Sequence, residues 1–343
     1  MNQNRRAFLN RVFGTSCGYA ATLAFAPLAV RRAYGRESTH DELAKRPYAR
    51  LERLVPDVYA LISTPFTIDG KAGDLRTHSN GGLIVGRDSI LAIDSYRTPE
   101  GARFMAESCL ALTGRLPTHV VTTHFHFDHL GGMAGFIEKG IAPEVIMTQT
   151  TRDLAYATYG KPGEKDESSP FSIPALTKWG GIFLDASRVI VDESKPTSLD
   201  LGGRAVSIVP MSGHTGSDLV IIDDQTGTTF GGDLIWDGIF PNFMSSSPSQ
   251  WRKNIAKLIG GNPRLIVPGH GSVQKSDSKS FELFSNLHAE IENYARVEHS
   301  KGNLVDIAAK NFALPESLGD WQYFREGFHE IALDAWYREL DAH

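Results

Sequence analysis

Short runs of β-branched and apolar residues alternate with glycine-containing turns along two stretches of the chain. In the first stretch, residues 82–85 and 89–94 flank a Gly-Arg-Asp turn and predict a β-hairpin, and residues 118–123 predict a further strand. In the second stretch, strands are predicted over residues 188–191, 204–210, 218–223, 228–231 and 264–267. The chain therefore contains two strand-rich halves.

Helical periodicity follows the strands of both halves. Thr98 and Pro99 are typical of a helix start, and the apolar residues after them recur at helical spacing. Another helix is predicted over residues 248–260, and three more are predicted over 277–340. Two strand-rich halves with helices of this kind predict an α+β fold, an αββα four-layer sandwich with two packed sheets and helices on both outer faces.

Residues 1–33 differ in composition from the rest of the chain, because they hold five arginines and no acidic residue. Arg5 and Arg6 precede a bulky apolar pair, as in the twin-arginine export motif, and a modest apolar run follows. We interpret 1–33 as a twin-arginine-type signal peptide that is cleaved on export to the periplasm. A single membrane helix is the alternative, but the glycines, hydroxyl residues and Pro27 of the run make it weakly hydrophobic.

This interpretation divides the chain into three parts. Residues 34–53 are polar and charged and are predicted to be a linker, with an exposed first helix as the alternative. Residues 54–343 are predicted to be one domain that includes the helices over 277–340. Residues 160–180, which are rich in Gly, Pro, Ser and Lys, are expected to form a long loop within it. After signal cleavage we expect no membrane association.

Charge and cysteine content exclude several classes of protein. The formal net charge is −5, and removing the five N-terminal arginines from the 35 basic residues leaves 30 against 40 acidic ones. This balance argues against nucleic acid as a partner, and a small-molecule substrate is expected instead. Two cysteines exclude a disulfide framework and a four-cysteine zinc site.

Four possible metal ligands fall within six residues: His124, His126, Asp128 and His129. Imidazole and carboxylate together suit zinc, iron or manganese, and such a cluster is costly to desolvate without a metal. The sequence therefore predicts a metal site after the strand at 118–123. The remaining histidines are interpreted as ordinary core or surface residues: His40, His78, His119, His288, His299, His329 and His343.

Three later residues are candidates for the same site. His214, Asp233 and His270 each follow a β-prone run and stand next to glycine. Strand ends that meet at one edge of a sandwich can gather ligands that are distant in sequence, and glycine permits the tight turns this needs. Aromatic residues are also expected to line an apolar pocket above the metals: Phe125, Phe127, Phe171, Trp179, Trp236 and Phe240.

Residues 50–275 resemble the metallo-β-lactamase superfamily. The resemblance is carried by Thr-His-Phe-His-Phe-Asp-His-Leu-Gly-Gly at 123–132, Gly-His-Thr at 213–215, Gly-Gly-Asp at 231–233 and Pro-Gly-His-Gly at 268–271. It implies two Zn²⁺ per chain, with iron or manganese less favoured. It further implies one metal on His124, His126 and His214, a second on Asp128, His129 and His270, and Asp233 as the bridge. Asp94 matches an aspartate that supports the ligand loop in this family.

The function implied by this resemblance is a dinuclear zinc-dependent hydrolase. A metal-bridging hydroxide would attack a carbonyl-type bond of a lactam, lactone or thioester, or another ester bond, and Asp128 would position it and pass a proton. The alternatives are a class B-like β-lactamase proper, a periplasmic metal-binding accessory protein of a quinoprotein or sulfur-oxidation system, and a di-iron redox protein. Asp233 stands where the best-known class B subclass has cysteine, and Trp236 stands where it often has lysine.

Overall fold

The computed structural model describes residues 40–66, 73–137, 143–160, 189–275 and 277–342. The predicted signal peptide, residues 161–180 of the predicted loop, Phe171 and Trp179 lie outside the described residues. Among the residues described, none of the helices combines the length and the apolar character needed to span a bilayer.

The strands occupy the following bounds: β1 (Asp41–Arg46), β2 (Ala49–Val55), β3 (Val58–Ser63), β4 (Gly81–Val85), β5 (Ile90–Ile93), β6 (His119–Val121), β7 (Glu144–Thr148), β8 (Val189–Val191), β9 (Thr197–Asp200), β10 (Ala205–Pro210), β11 (Leu219–Asp223), β12 (Thr228–Trp236), β13 (Leu265–His270) and β14 (Gln274–Lys275). The helices are α1 (Pro99–Thr113), α2 (Phe127–Leu130), α3 (Ala134–Ile137), α4 (Gln149–Tyr159), α5 (Pro248–Gly260), α6 (Lys279–Ser300), α7 (Val305–Asn311) and α8 (Phe328–Leu340), with a 3₁₀ turn at Glu316–Leu318.

The strands form two sheets. The first contains β1 to β8 in chain order, antiparallel as far as β5 and parallel from β5 to β8. The second has the order β14-β13-β12-β11-β10-β9 and is antiparallel except for the parallel pair β12 and β13. The predicted hairpin is thus β4 and β5, and the predicted helices at 99 and 248–260 are α1 and α5.

Three apolar clusters give the sandwich its four layers. One cluster lies between the sheets, where Val58 and Ile93 of the first sheet pack with Leu219 and Phe230 of the second. A second packs α1 on the outer face of the first sheet. The third packs α5, α6 and α8 beyond the second sheet. The predicted αββα architecture is confirmed, and the three helices expected over 277–340 are α6, α7 and α8.

The prediction of a linker over 34–53 is wrong for residues 41–53, because these form β1 and most of β2. Charge made this segment resemble a linker. In the structure β1 is a largely exposed edge strand, whereas Arg50 and Glu52 are buried as an ion pair with Nε and Oε1 2.5 Å apart. A paired charge of this kind is compatible with a sheet interior, so the folded domain begins before residue 54.

Candidate metal centre

Four chain segments bring the predicted ligands to one edge of the sandwich. His124 and His126 follow β6, and Asp128 and His129 occupy the single turn of α2 that comes next. His214 lies in the loop between β10 and β11. Asp233 lies within β12, and His270 ends the adjacent parallel strand β13. All seven predicted residues therefore meet, although 146 positions separate the first from the last.

The seven side chains form two groups, in each of which the candidate ligand atoms lie within 4.8 Å of one another. His124, His126, His214 and Asp233 are the first group, and Asp128, His129 and His270 are the second. In the first group Nε2 of His214 lies 2.9 Å from Nδ1 of His126. In the second, Nε2 of His270 lies 3.3 Å from Oδ2 of Asp128.

Asp233 belongs to the first group but also faces the second. Each of its two carboxylate oxygens approaches the histidines of one group. Its Oδ2 is 3.2 Å from Nε2 of His214 and 3.8 Å from Nε2 of His124. Its Oδ1 is 3.0 Å from Nε2 of His129 and 3.4 Å from Nε2 of His270. This is the arrangement that a ligand shared by two cations requires.

Two glycines allow this approach. Gly232 has φ of 49°, in the left-handed region that glycine adopts most readily, so the backbone can turn within β12. Gly269 lies against the Asp233 carboxylate, and a Cβ at this position would overlap Oδ1 of Asp233.

The polar atoms of the cluster fit a metal cation better than they fit one another. Within the part of the chain that the structure describes, Nε2 of His124 is buried and makes no hydrogen bond. A buried imidazole nitrogen without a partner costs free energy, and a cation coordinated by its lone pair removes that cost. Imidazole and carboxylate ligands without a thiolate favour zinc or another borderline divalent cation.

Burial lowers the pKa of all three imidazoles in the first group. The pKa of His126 falls to about 4, and the pKa values of His124 and His214 lie well below the ordinary value. Neighbouring histidines lower them further, and the attraction of Asp233 does not outweigh these effects. These side chains are therefore neutral near pH 7, which is the form that binds metals.

The second group has the opposite electrostatics. Burial lowers the pKa of His270 and His129, but the nearby carboxylates outweigh it. They raise the pKa of His270 to about 9 and hold the pKa of His129 well above its ordinary value. Burial also favours neutral carboxyl groups, yet the facing imidazoles hold the pKa values of Asp128 and Asp233 well below the ordinary value. Protons and a metal cation thus compete for the second group.

Asp94 supports the ligand loop, as the resemblance implied. Its Oδ2 lies 2.7 Å from Nδ1 of His129, and its two oxygens accept from the main-chain nitrogen and the hydroxyl of Thr123 at 2.8 and 3.0 Å. A carboxylate that accepts from Nδ1 of His129 fixes the tautomer of the ring, so Nε2 is the nitrogen available to bind a metal.

Sequence reasoning missed His78, which it treated as an ordinary residue. In the structure Nδ1 of His78 lies 3.0 Å from Oδ2 of Asp128. No local signal identifies it, because it precedes the nearest ligand in sequence by more than 40 positions and stands in no metal-binding pattern. Ser245 was also missed, and its Oγ lies 3.2 Å from Nε2 of His126.

Aromatic side chains surround the cluster, but not all of the predicted ones contribute. Trp236 packs on the ring of His270, with centroids 4.0 Å apart, and Phe125 packs on His126 at 4.7 Å. Phe240 is fully buried and stacks on Tyr323. Phe324, which no pattern indicated, lies 5.1 Å from the ring of His270.

Comparison with known proteins agrees with this geometry. The family model described as "Metallo-beta-lactamase superfamily" matches residues 75–270, which is more than half of the chain. The chain belongs to the metallo-β-lactamase superfamily. The match ends at His270, so α6, α7 and α8 lie beyond the part that the superfamily model describes.

Relatives within the superfamily differ in their described activities. The chain is 23% identical over 256 residues to the probable metallo-hydrolase YqjP of Bacillus subtilis, covering 67% of this chain and 77% of that protein. It is 23% identical to the acyl-coenzyme A thioesterase MBLAC2 of Gallus gallus, covering 64% and 76%. It is 25% identical to a type 2 metallo-β-lactamase of Bacillus cereus, covering 57% and 68%.

Solved structures confirm the superfamily fold. A metallo-β-lactamase from Pontibacter korlensis aligns with a TM-score of 0.54 at 19% identity, covering 70% of this chain and 99% of that one. A metallo-β-lactamase from Hirschia baltica aligns with a TM-score of 0.53 at 16% identity, covering 70% and 98%.

Proposed function

We propose that this member of the metallo-β-lactamase superfamily is a hydrolase with two Zn²⁺ per chain. His124, His126 and His214 would hold one metal, Asp128, His129 and His270 would hold the other, and Asp233 would contact both. The observation that carries the proposal is the position of Asp233, whose two carboxylate oxygens face different groups. Hydrolase-type relatives support the reaction class.

When bound, two divalent cations lower the pKa of coordinated water and stabilise negative charge that develops on an attacked carbonyl oxygen. The residues of the chain determine where a substrate can enter. Six of the seven ligand candidates are buried, whereas the side chain of Asp128 is 17% exposed. Substrate therefore approaches from the side of Asp128, and this ionised carboxylate is placed to take up the proton of the attacking water and pass it to the leaving group.

We propose a carbonyl-type substrate, namely a thioester, a lactone or another ester. The thioesterase among the relatives supports this choice. A β-lactam is less favoured, because Trp236 is buried against His270 and contributes no positive charge for the carboxylate of such a drug. Phe66 and Phe324 stack at 5.0 Å beside His78 and are half-buried, so they offer an apolar surface next to the entrance.

A periplasmic location is part of the proposal. It rests on Arg5 and Arg6 and on the arginine-rich, acid-free composition of residues 1–33. Fractionation of cells that express the full chain, compared with an Arg5→Lys, Arg6→Lys double variant, tests it. Mature protein in the periplasm that disappears in the double variant supports export, and an unchanged distribution contradicts it.

The hydrolase proposal is tested with the purified chain and chromogenic lactam, lactone, thioester and phosphate ester substrates. Metal analysis should give two zinc ions per chain, and a chelator should abolish turnover. His126→Ala and Asp128→Ala should each lower turnover at least about 100-fold. His299→Asn, which alters a His–Asp contact elsewhere (2.8 Å, to Asp341), is the matched control.

Two results would contradict this function. Two iron ions per chain would favour the di-iron redox alternative. Two bound zinc ions without turnover on any substrate class would favour the accessory metal-binding protein.

A further inference from the structure

His78 has an unusual backbone conformation. It lies between β3 and β4, with φ of 63°, in the left-handed region that few non-glycine residues adopt, although histidine is enriched there with asparagine and aspartate. Such conformations cost free energy and persist only where surrounding contacts hold them. At His78 those contacts are with the second group of the metal centre.

The side chain of His78 contacts Asp128. Its Nδ1 lies 3.0 Å from Oδ2 of Asp128, and this same oxygen lies 3.3 Å from Nε2 of His270. The ring of Phe324 packs against the His78 ring with centroids 4.3 Å apart. The His78 ring is thus held between an aromatic side chain and the partly exposed carboxylate of Asp128.

The main chain of His78 contacts His270. Nδ1 of His270 lies 3.1 Å from the carbonyl oxygen of His78, so Nδ1 donates to this carbonyl. That hydrogen bond occupies Nδ1, so Nε2 is the nitrogen that faces Asp128 and Asp233 and is left to bind a metal once its proton is displaced. One residue therefore orients two candidate ligands, one through its ring and the other through its backbone.

Neighbouring residues anchor this turn to the same two segments. The hydroxyl of Ser79 donates to the main-chain oxygen of Asp128. Nδ2 of Asn80 donates to the carbonyl oxygens of Pro268 and Gly271 at 2.9 and 2.8 Å, on both sides of His270. Residues 78–80 consequently hold the α2 turn and the end of β13 at a fixed separation.

We propose that His78 is a positioning residue for the second metal. Its ring orients the carboxylate of Asp128, its carbonyl fixes the tautomer of His270, and it makes no contact of this kind with the first group. This inference rests on the proposed two-metal centre. It assigns to His78 an effect on the affinity of one metal and not of the other.

The experiment is a titration of the metal-stripped full chain with Zn²⁺, followed by calorimetry, and with Co²⁺, followed by its ligand-field absorption. The wild type should bind two equivalents. His78→Gly accepts the backbone conformation and keeps the carbonyl but lacks the ring. It should bind the first equivalent as the wild type does and the second about 10- to 100-fold more weakly.

His78→Asn is the conservative variant. Asparagine tolerates the left-handed region, and its Nδ2 occupies the same place along the side chain as Nδ1 of histidine. It should recover most of the lost affinity for the second equivalent. His299→Asn should leave both equivalents unchanged, and melting temperatures of all variants show whether they fold.

The outcomes separate this inference from the proposed reaction. Unchanged binding of both metals by His78→Gly, or equal weakening of both, would overturn the positioning role. A wild type that binds two metals but hydrolyses nothing would refute the hydrolase and leave the role of His78 standing. A wild type that binds a single equivalent would overturn both.

Discussion

The carboxylate of Asp94 lies 2.7 Å from Nδ1 of His129, and both side chains are buried. The same carboxylate accepts two hydrogen bonds from Thr123, the residue before the first ligand candidate. Asp94 therefore ties the start of the ligand loop to its last imidazole. It orients the metal centre without belonging to either ligand group.

Asp94→Ala should weaken metal binding by about 10- to 100-fold, because His129 loses the partner that fixes its ring. Metal affinity measured by competition with a chromogenic chelator checks this. Asp223→Ala is the control, since it removes another buried carboxylate, which pairs with Arg204 at 2.8 Å. The control should lose stability and keep its metal affinity; equal loss of affinity in both variants would refute the role of Asp94.

Metal binding should depend on pH in the second group more than in the first. The pKa of His270 is raised to about 9 and that of His129 is also raised, so both carry protons near pH 7 that a metal must displace. The first-group imidazoles are already neutral, because burial lowers their pKa values. The affinity for the second equivalent should therefore rise with pH through the neutral range.

Calorimetry in buffers of different ionisation enthalpy measures the released protons directly. The second equivalent should release more protons than the first at neutral pH. Equal release for both equivalents, or a second-site affinity that does not change with pH, would contradict this account of the electrostatics.

His288 should make the fold less stable in acid. It is fully buried among Trp251, Phe243 and Phe284, and neither of its ring nitrogens has a hydrogen-bond partner among the described residues. Burial lowers its pKa to about 3. The unfolded chain binds a proton here below pH 6.5 and the folded chain does not, so stability is lost as pH falls from 6.5 towards 3. The loss is up to about 1.4 kcal/mol per pH unit.

His288→Leu should remove this contribution and add about 1–3 kcal/mol, since two unpaired buried nitrogens disappear. Urea unfolding of wild type and variant over a pH series gives the difference. Phe136→Leu is the control, because it shrinks a fully buried side chain in the apolar cluster around α1, away from His288, and should lower stability equally at every pH. A His288→Leu variant with the acid dependence of the wild type would contradict the prediction.

Phe324 should increase kcat/KM for substrates that carry an apolar group. Its ring stacks on Phe66 with centroids 5.0 Å apart and lies 4.3 Å from the ring of His78, beside the partly exposed carboxylate of Asp128. Phe324→Ala should lower kcat/KM about 10-fold for long acyl or aromatic esters and leave short acyl esters nearly unchanged. Phe312→Ala, the same truncation beside Tyr294 and His329, should change neither, and an equal loss for both substrate lengths would contradict the prediction.

Local patterns were sufficient for much of the fold. The β4–β5 hairpin, α1 with its Thr98-Pro99 start, and α5 are set by residues within a few positions of one another. The pattern failed over residues 41–53, because there the polar side chains belong to an exposed edge strand and to the buried pair Arg50 and Glu52. Arg50 and Glu52 are only two positions apart on one strand, but the burial of this pair depends on how the strands assemble.

The sequence by itself determined which seven residues form the cluster, because four of them lie within six positions and the others follow strands beside glycine. Only the tertiary structure decided how they divide, with Asp233 between the groups, and which residues orient them. His78 and Asp128 are 50 positions apart, and Phe324 is further still from the ring of His270 that it approaches. Contacts between such distant residues depend on how the sheets and the C-terminal helices pack, and this packing leaves no periodic trace in the chain.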